Sequence, residues 1–169
     1  MRLIVGPERH WASASQLAPT ADVLLLRSPG ADPATLEAQG SLTVCFNDIA
    51  EPRAGLVAPD ATAVGQILAF GRARPEVAVL CFAGVSRSTA AAYALACQAT
   101  EAGREMGLAQ ALRRLSPAAT PNPLVVSLAD DALGRQGRMV AAIEAIGRGA
   151  EAFEGPVFVW ELTPPAAGN

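Results

Sequence analysis

The stretch from Val77 to Ala94 constrains the fold of this chain more than any other segment. It opens with a β-branched and aliphatic run, Val77 to Leu80, of the kind that fills a buried strand. Residues 88–99 are mostly alanine and other small residues, which favours a helix packed closely against a sheet. The residues that join the two, Cys81 to Ser88, follow the pattern Cys-x5-Arg-Ser and predict a tight loop.

The spacing of this loop suits the binding of a tetrahedral oxyanion. Five residues between the Cys81 thiol and the Arg87 guanidinium are enough to wrap the backbone around one such anion. The loop runs into a helix N-terminus, where backbone N–H groups lack partners, and Gly84 permits the conformation that such a nest requires. Arg87 would bind two oxygens with its planar fork, and together with the helix dipole it favours the Cys81 thiolate. Ser88 could donate its hydroxyl to the sulfur.

The run Cys81-x-Ala-Gly-x-Ser-Arg-Ser resembles the signature loop of the cysteine-dependent protein tyrosine phosphatases, and the order of parts resembles the dual-specificity branch. The wider segment, roughly 42–146, is also similar to small bacterial proteins described as predicted tyrosine phosphatases. The resemblance implies that Cys81 attacks phosphorus to form a phosphocysteine. The loop residues implied in phosphoryl binding are Phe82, Ala83, Gly84, Val85, Ser86 and Arg87, with Ser88 beside the sulfur. The family usually places histidine before the cysteine, whereas this chain has Leu80.

Asp48 is the second residue that the resemblance singles out. In the dual-specificity family an aspartate that follows a strand, well before the nucleophile, protonates the leaving oxygen. Asp48 follows a predicted strand, and Asn47 before it also resembles that family. The alternative is that Asn47-Asp48 is only a turn or a helix cap. Asp60 is a rival acid, but its neighbours favour a helix start with Asp60 as the N-cap.

Asn122 and Pro123 form a good N-cap and first-turn pair for a long helix that extends to about Ile146. The dual-specificity family has a similar Pro-Asn at this place, which implies that Asn122 lies close to the phosphate loop and supports it. Two glycines within Gly134–Arg138 interrupt the helical pattern. They predict a kink, a surface turn or a division into two helices.

The rest of the chain alternates between strands and helices, which predicts an α/β domain with a central, mainly parallel sheet flanked by helices. Residues 1–169 are expected to form a single domain, with a phosphatase-like core at roughly 40–147 and a loose tail over 161–169. A helical turn is predicted from Asp32 to Glu37, and Pro156 to Trp160 is a strand, an edge addition or a partner-binding segment. The other predicted elements are strands at Arg2–Val5, Asp22–Arg27, Leu42–Phe46 and Glu76–Leu80, and helices at Glu8–Leu17, Asp60–Gly71 and Leu108–Leu115.

The composition of the chain limits which binding partners and which cellular compartment are expected for the protein. The net charge is −3 and no basic run occurs, which argues against nucleic acid as the main partner. No apolar run approaches the ~20 residues of a membrane span, and the apolar start is too short for a signal peptide. The three cysteines form no metal pattern or disulfide framework, so a reducing cytoplasm fits best. Cys97 is expected to be a buried hydrophobe, whereas Cys45 could approach Cys81 and trap its oxidised form as a disulfide.

These features predict a phosphoester hydrolase, a protein tyrosine or dual-specificity phosphatase that needs no metal or cofactor. Its substrate would be a phosphorylated protein or a small phosphoester. One alternative is a phosphate-binding module with little catalysis, suggested by Leu80. Another is a different thiol enzyme, an arsenate reductase or a sulfurtransferase. The central position of the Cys81 loop, with the acid Asp48 before it, favours the phosphatase.

Overall fold

One sheet of five strands organises the residues that the computed structural model describes, which are 1–31, 40–72 and 74–162. The strands are β1 (Arg2–Pro7), β2 (Asp22–Arg27), β3 (Ser41–Cys45), β4 (Glu76–Cys81) and β5 (Phe158–Glu161). Their order across the sheet is β3-β2-β4-β1-β5. All neighbouring strands run parallel except β5, which is antiparallel to β1. The predicted mainly parallel sheet is confirmed, and the segment near the C-terminal end is an edge strand.

Six α-helices pack around this sheet within the described ranges. They are α1 (Trp11–Leu17), α2 (Ala61–Arg72), α3 (Arg87–Gln98), α4 (Glu105–Leu115), α5 (Pro123–Ala132) and α6 (Arg138–Ile146). Residues of α2 to α6 form the larger hydrophobic core on one face, and α1 packs on the other face through Ala14 and Trp11. Helices therefore lie on both faces, as predicted. None of the helices described is long and apolar enough to cross a membrane.

β4 occupies the middle of the sheet because its side chains are apolar on both faces. Val77 and Val79 are fully buried in the larger core, while Ala78 and Leu80 are fully buried against the side that α1 covers. Such continuous apolar runs are typical of parallel strands covered on both faces. The last residue of β4 is Cys81, so the thiol lies at the carboxyl end of a central strand. Open α/β sheets bind ligands at this edge.

The sheet includes β1 and β2, which precede the predicted phosphatase-like core of 40–147 and flank β4 on its two sides. The C-terminal tail also begins later than predicted. Glu161 belongs to β5, and the backbone N–H of the buried Leu162 donates to the carbonyl of Met1. The remaining tail, 163–169, lies outside the described residues, as does the helical turn predicted from Asp32 to Glu37.

A buried aspartate explains why the long predicted helix is divided into α5 and α6. The Asp130 carboxylate accepts hydrogen bonds from the backbone N–H groups of Gly137 at 2.6 Å and Met139 at 2.7 Å. It thereby caps the start of α6 from within α5. Gly134 and Gly137 both take the left-handed conformation that reverses the chain between the helices. Of the three alternatives, the division into two helices is correct.

A buried carboxylate at the start of α4 joins three neighbouring segments. Glu105 is 3% exposed, and its Oε1 lies 3.1 Å from Arg135 Nη1 and 3.4 Å from Arg138 Nε. Arg135 also donates to the carbonyl of Thr100, beyond the end of α3. Burial opposes the charged form of Glu105, but hydrogen bonds from backbone N–H groups and the two arginines outweigh it and lower the pKa of the carboxyl.

Replacing the Glu105 carboxylate is expected to weaken the dependence of the free energy of unfolding on pH. Glu105→Gln should lower the free energy of unfolding by about 3 kcal/mol at pH 7, because Arg135 keeps a buried charge without its partner. A lowered folded-state pKa gives stability that is complete above about pH 5 and is lost as the pH falls below about 4. Urea unfolding of wild type and variant should therefore converge in acid. Glu144→Gln, on the exposed side of α6, is the control, and an equal effect there would contradict the prediction.

Candidate active site

The thiol of Cys81 lies at the bottom of the loop between β4 and α3. Cys81 is 2% exposed, and its Sγ lies 3.1 Å from Ser88 Oγ in the first turn of α3. The backbone N–H of Gly84 donates to the same sulfur at 3.3 Å. Ser88 is itself fully buried. The sulfur thus lies beside the Ser88 hydroxyl at the start of α3 and accepts a hydrogen bond from one amide of the loop that surrounds it.

Carbonyl groups of the loop are bound by segments that lie outside it. The carbonyl of Ala83 accepts from the N–H of Gly155, and that of Val85 accepts from the N–H of Thr120, each at 2.9 Å. The Thr89 hydroxyl also donates to Val85. The carbonyl and the N–H group of one peptide unit point in opposite directions. Because the carbonyls of Ala83 and Val85 point outwards to these partners, the N–H groups of the same peptide units face inwards, as in an anion-binding nest.

Gly84 is required because the loop packs directly on the end of β1. Its φ is +67°, and a Cβ atom there would lie 2.6 Å from Pro7 N and 2.8 Å from the carbonyl carbon of Gly6. Gly155 approaches the loop from the other direction, and its Cβ would lie 2.6 Å from the carbonyl oxygen of Gly84. The backbone is therefore enclosed on two sides by other backbone.

The Arg87 guanidinium is fixed by residues that follow two other strands. Its side chain is 7% exposed, and Nη1 donates to Ser28 Oγ and to the carbonyl of Phe46, both at 3.2 Å. Ser28 follows β2 and Phe46 follows β3. The buried Nε has no hydrogen-bond partner among the described residues and lies 3.9 Å from Asp48 Oδ2. A donor in this state is available to an anion bound in the loop.

Asp48 lies above the loop, and only one of its oxygens accepts the hydrogen bonds that fix it. Oδ1 accepts from Ser86 Oγ at 2.7 Å and from Asn122 Nδ2 at 2.8 Å. The same Nδ2 also donates to the carbonyl of Ile49, at 3.2 Å. Asn122 Oδ1 meanwhile accepts from two N–H groups in the first turn of α5, so the predicted N-cap is confirmed. Asn122 thus ties the start of α5 to the Asp48 segment.

A cavity of about 250 Å³ opens above the thiol. Its lining combines the loop, the aspartate and a segment that precedes β5, and consists of Asp48, Cys81, Phe82, Ala83, Val85, Ser86, Arg87, Ala152 and Phe153. A second cavity of about 320 Å³ shares Asp48, Val85, Ser86 and Ala152 with it. The described residues contain no group of three or more histidine, cysteine, aspartate or glutamate side chains placed to hold a metal ion.

Asp60 and Leu80, which the sequence analysis also considers, do not line this cavity. Asp60 accepts from the N–H of Ala63 at 2.8 Å and caps α2, so the helix-start interpretation of this rival acid is confirmed. Leu80 is fully buried on the α1 side of the sheet, opposite to the face that Cys81 joins. The single histidine, His10, is exposed and pairs with Glu154 at 2.8 Å.

The idea that Cys45 traps an oxidised Cys81 is wrong. Cys45 aligns with Arg27 on β2, whereas Cys81 aligns with Leu26, so the two thiols point to opposite faces of the sheet. They are also separated by the whole of β2. Cys97 is fully buried as predicted, and burial raises the pKa of its thiol to about 12, which keeps it protonated.

Three contributors to the site were not predicted. Ser28 and the carbonyl of Phe46 follow strands that were predicted, and their position at the carboxyl edge of the sheet was the available signal. The third contributor is the segment 152–155, which reaches the loop through Gly155. No local pattern in the sequence indicates that contact, because it joins residues far apart along the chain.

A search of solved structures finds a protein with this architecture. The crystal structure of DUSP15, a dual-specificity phosphatase, superposes with a TM-score of 0.60 over 86% of this chain and 92% of that chain. The chain has the fold of a dual-specificity phosphatase. The sequence identity is 18%, so the likeness concerns the fold, and the chemistry has to be argued from the residues. No family model and no curated protein sequence matches the chain.

The enclosure of Gly84 gives a stability prediction. Gly84→Ala should be destabilising by more than about 2 kcal/mol, because it adds a clash with the end of β1 to the strain of a positive φ. Gly134→Ala is the matched control, since Gly134 has a φ of +62° and nothing within 4 Å of a Cβ. The control should show the backbone strain alone, about 1 kcal/mol. Equal losses in urea unfolding would show that the packing on β1 has no effect.

Proposed function

We propose that this protein is a phosphomonoester hydrolase of the tyrosine or dual-specificity phosphatase type, with Cys81 as nucleophile. The observation that carries the proposal is the convergence of Cys81, Arg87 and Asp48 on one cavity of about 250 Å³. A thiol, a fixed guanidinium and a carboxyl group are the three functions that phosphoryl transfer through a thiol requires. The fold shared with a dual-specificity phosphatase supports it.

In the first step the Cys81 thiolate attacks phosphorus and the ester P–O bond breaks. The backbone N–H groups of 82–87 and the Arg87 guanidinium bind the three equatorial oxygens as charge spreads over them. Asp48 gives its proton to the leaving oxygen. Since Oδ1 is occupied by Ser86 and Asn122, Oδ2 is the oxygen that carries this proton. The products are a phosphocysteine and the free alcohol or phenol.

In the second step water attacks the phosphocysteine and the S–P bond breaks. Asp48, now a carboxylate, takes a proton from the water, and the sulfur leaves as a thiolate. Ser88 Oγ, 3.1 Å from Sγ, donates a hydrogen bond to the departing sulfur. Inorganic phosphate is released, and the reaction uses only residues of this chain. We place the enzyme in a reducing compartment such as the cytoplasm, because the nucleophile must stay a free thiol.

Hydrolysis of p-nitrophenyl phosphate under reducing conditions tests the nucleophile. Wild type should turn over this substrate, and Cys81→Ser should abolish turnover, because a serine hydroxyl at this position is a far weaker nucleophile than a thiolate. Cys97→Ser, at a thiol that burial keeps protonated, is the control and should retain turnover. A wild type that binds phosphate or vanadate without turnover would instead identify a phosphate-binding module.

The role of Asp48 predicts a dependence on the leaving group. Asp48→Asn should lower kcat/KM about 100-fold for phenyl phosphate but only about tenfold for p-nitrophenyl phosphate, because the less basic nitrophenolate needs less help from a general acid. Asp131→Asn, at an exposed position on α5, controls for the loss of a negative charge. The same factor with both esters would mean that Asp48 positions the substrate or the loop but does not supply the proton.

A further inference from the structure

Two exposed phenylalanines lie at the mouth of the candidate active site. Phe153 is 78% exposed and Phe82 is 62% exposed, the highest values among the large apolar side chains of the described residues. Both line the cavity that contains Cys81 and Arg87. Single exposed apolar residues are ordinary on protein surfaces. Two aromatic rings on the rim of a cavity that contains Arg87 favour a ligand that is anionic at one end and apolar at the other.

We propose that Phe153 is a specificity-determining residue that packs against the aromatic ring of an aryl phosphomonoester. The inference rests on the proposed function, because the phosphoryl group of that ester would occupy the loop of Cys81. Its ring would then leave the charged floor of the cavity and meet the apolar rim, where Phe82 is also placed. Aromatic rings attract one another beyond the burial of their surface. An alkyl phosphate lacks the group that makes this contact.

The backbone that follows Phe153 is anchored at two successive residues, which orders this part of the rim before a ligand binds. The next residue, Glu154, forms an ion pair with Arg9 and a 2.8 Å contact with His10. Gly155 then donates its N–H to the carbonyl of Ala83 in the phosphate loop. Side chains held before binding lose less freedom when the ligand arrives.

Arg9 supports the same segment in a second way. Its guanidinium carbon lies 5.9 Å from the centroid of the Phe153 ring, within the range of a cation–π contact. Its hydrogen bond to Glu154 also lowers the pKa of that carboxyl. The anchor is therefore ionised at neutral pH, where activity would be measured. The Phe153 ring thus contacts Arg9 while most of its surface stays open to a ligand.

The test compares an aryl with an alkyl substrate in each variant. The ratio of kcat/KM for phenyl phosphate to that for O-phosphoserine should fall about three- to tenfold in Phe153→Ala and stay within about twofold of wild type in Phe153→Tyr. Met106→Ala, which removes an exposed apolar side chain from α4, is the control and should leave the ratio unchanged. An unchanged ratio in Phe153→Ala, or an equal fall in the control, would overturn the inference.

A binding measurement separates this inference from the proposed function. Phenylphosphonate and inorganic phosphate are titrated by calorimetry into wild type and Phe153→Ala, and neither ligand has an ester to hydrolyse. The ratio of the binding constant for phenylphosphonate to that for phosphate should fall about three- to tenfold in the variant. That fall without any esterase turnover would sustain the inference and reject catalysis. Turnover with an unchanged ratio, or binding of neither ligand, would reject the inference.

Discussion

The candidate site depends on the direction in which the peptide groups of the loop between Cys81 and Ser88 point. Their N–H groups can face an anion only if the carbonyls on the other side find partners elsewhere, because a buried carbonyl without a hydrogen bond is costly. Those partners come from Gly155 before β5 and from Thr120 before α5. The loop is short in sequence, but its conformation is a property of the whole domain.

The position of Asp48 has a similar origin. An acid on a connecting loop would ordinarily take several orientations, and here Asn122 and Ser86 fix one of its oxygens. Asn122 can do this because it is itself held as the N-cap of α5. Asp48 is therefore tied to α5 through Asn122 and to the Cys81 loop through Ser86, and α5 in turn packs on α3.

The sequence predicts those parts of the site whose chemistry is local. The loop of Cys81 and the N-cap at Asn122 each follow from a short run of residues, and the strands follow from apolar runs. The pairing of β1 and β2 with β4, which enlarges the core, could not be predicted, because strand order is decided by packing across the sheet. The division of the long helix into α5 and α6 could not be predicted either, because it depends on the buried Asp130 carboxylate and its hydrogen bonds to backbone N–H groups at the start of α6.

The antiparallel pairing of β5 with β1 has a consequence for the order of synthesis. β1 is synthesised before β5, so the edge of the sheet beside β1 stays unpaired with β5 until residues 158–161 have left the ribosome. The segment that brings Gly155 to the Cys81 loop arrives with them. A nascent chain that has already folded around Cys81 still lacks one of the hydrogen bonds that shape the loop. The hydrogen bonds that shape the Cys81 loop can therefore be complete only after residues 155–161 have been synthesised.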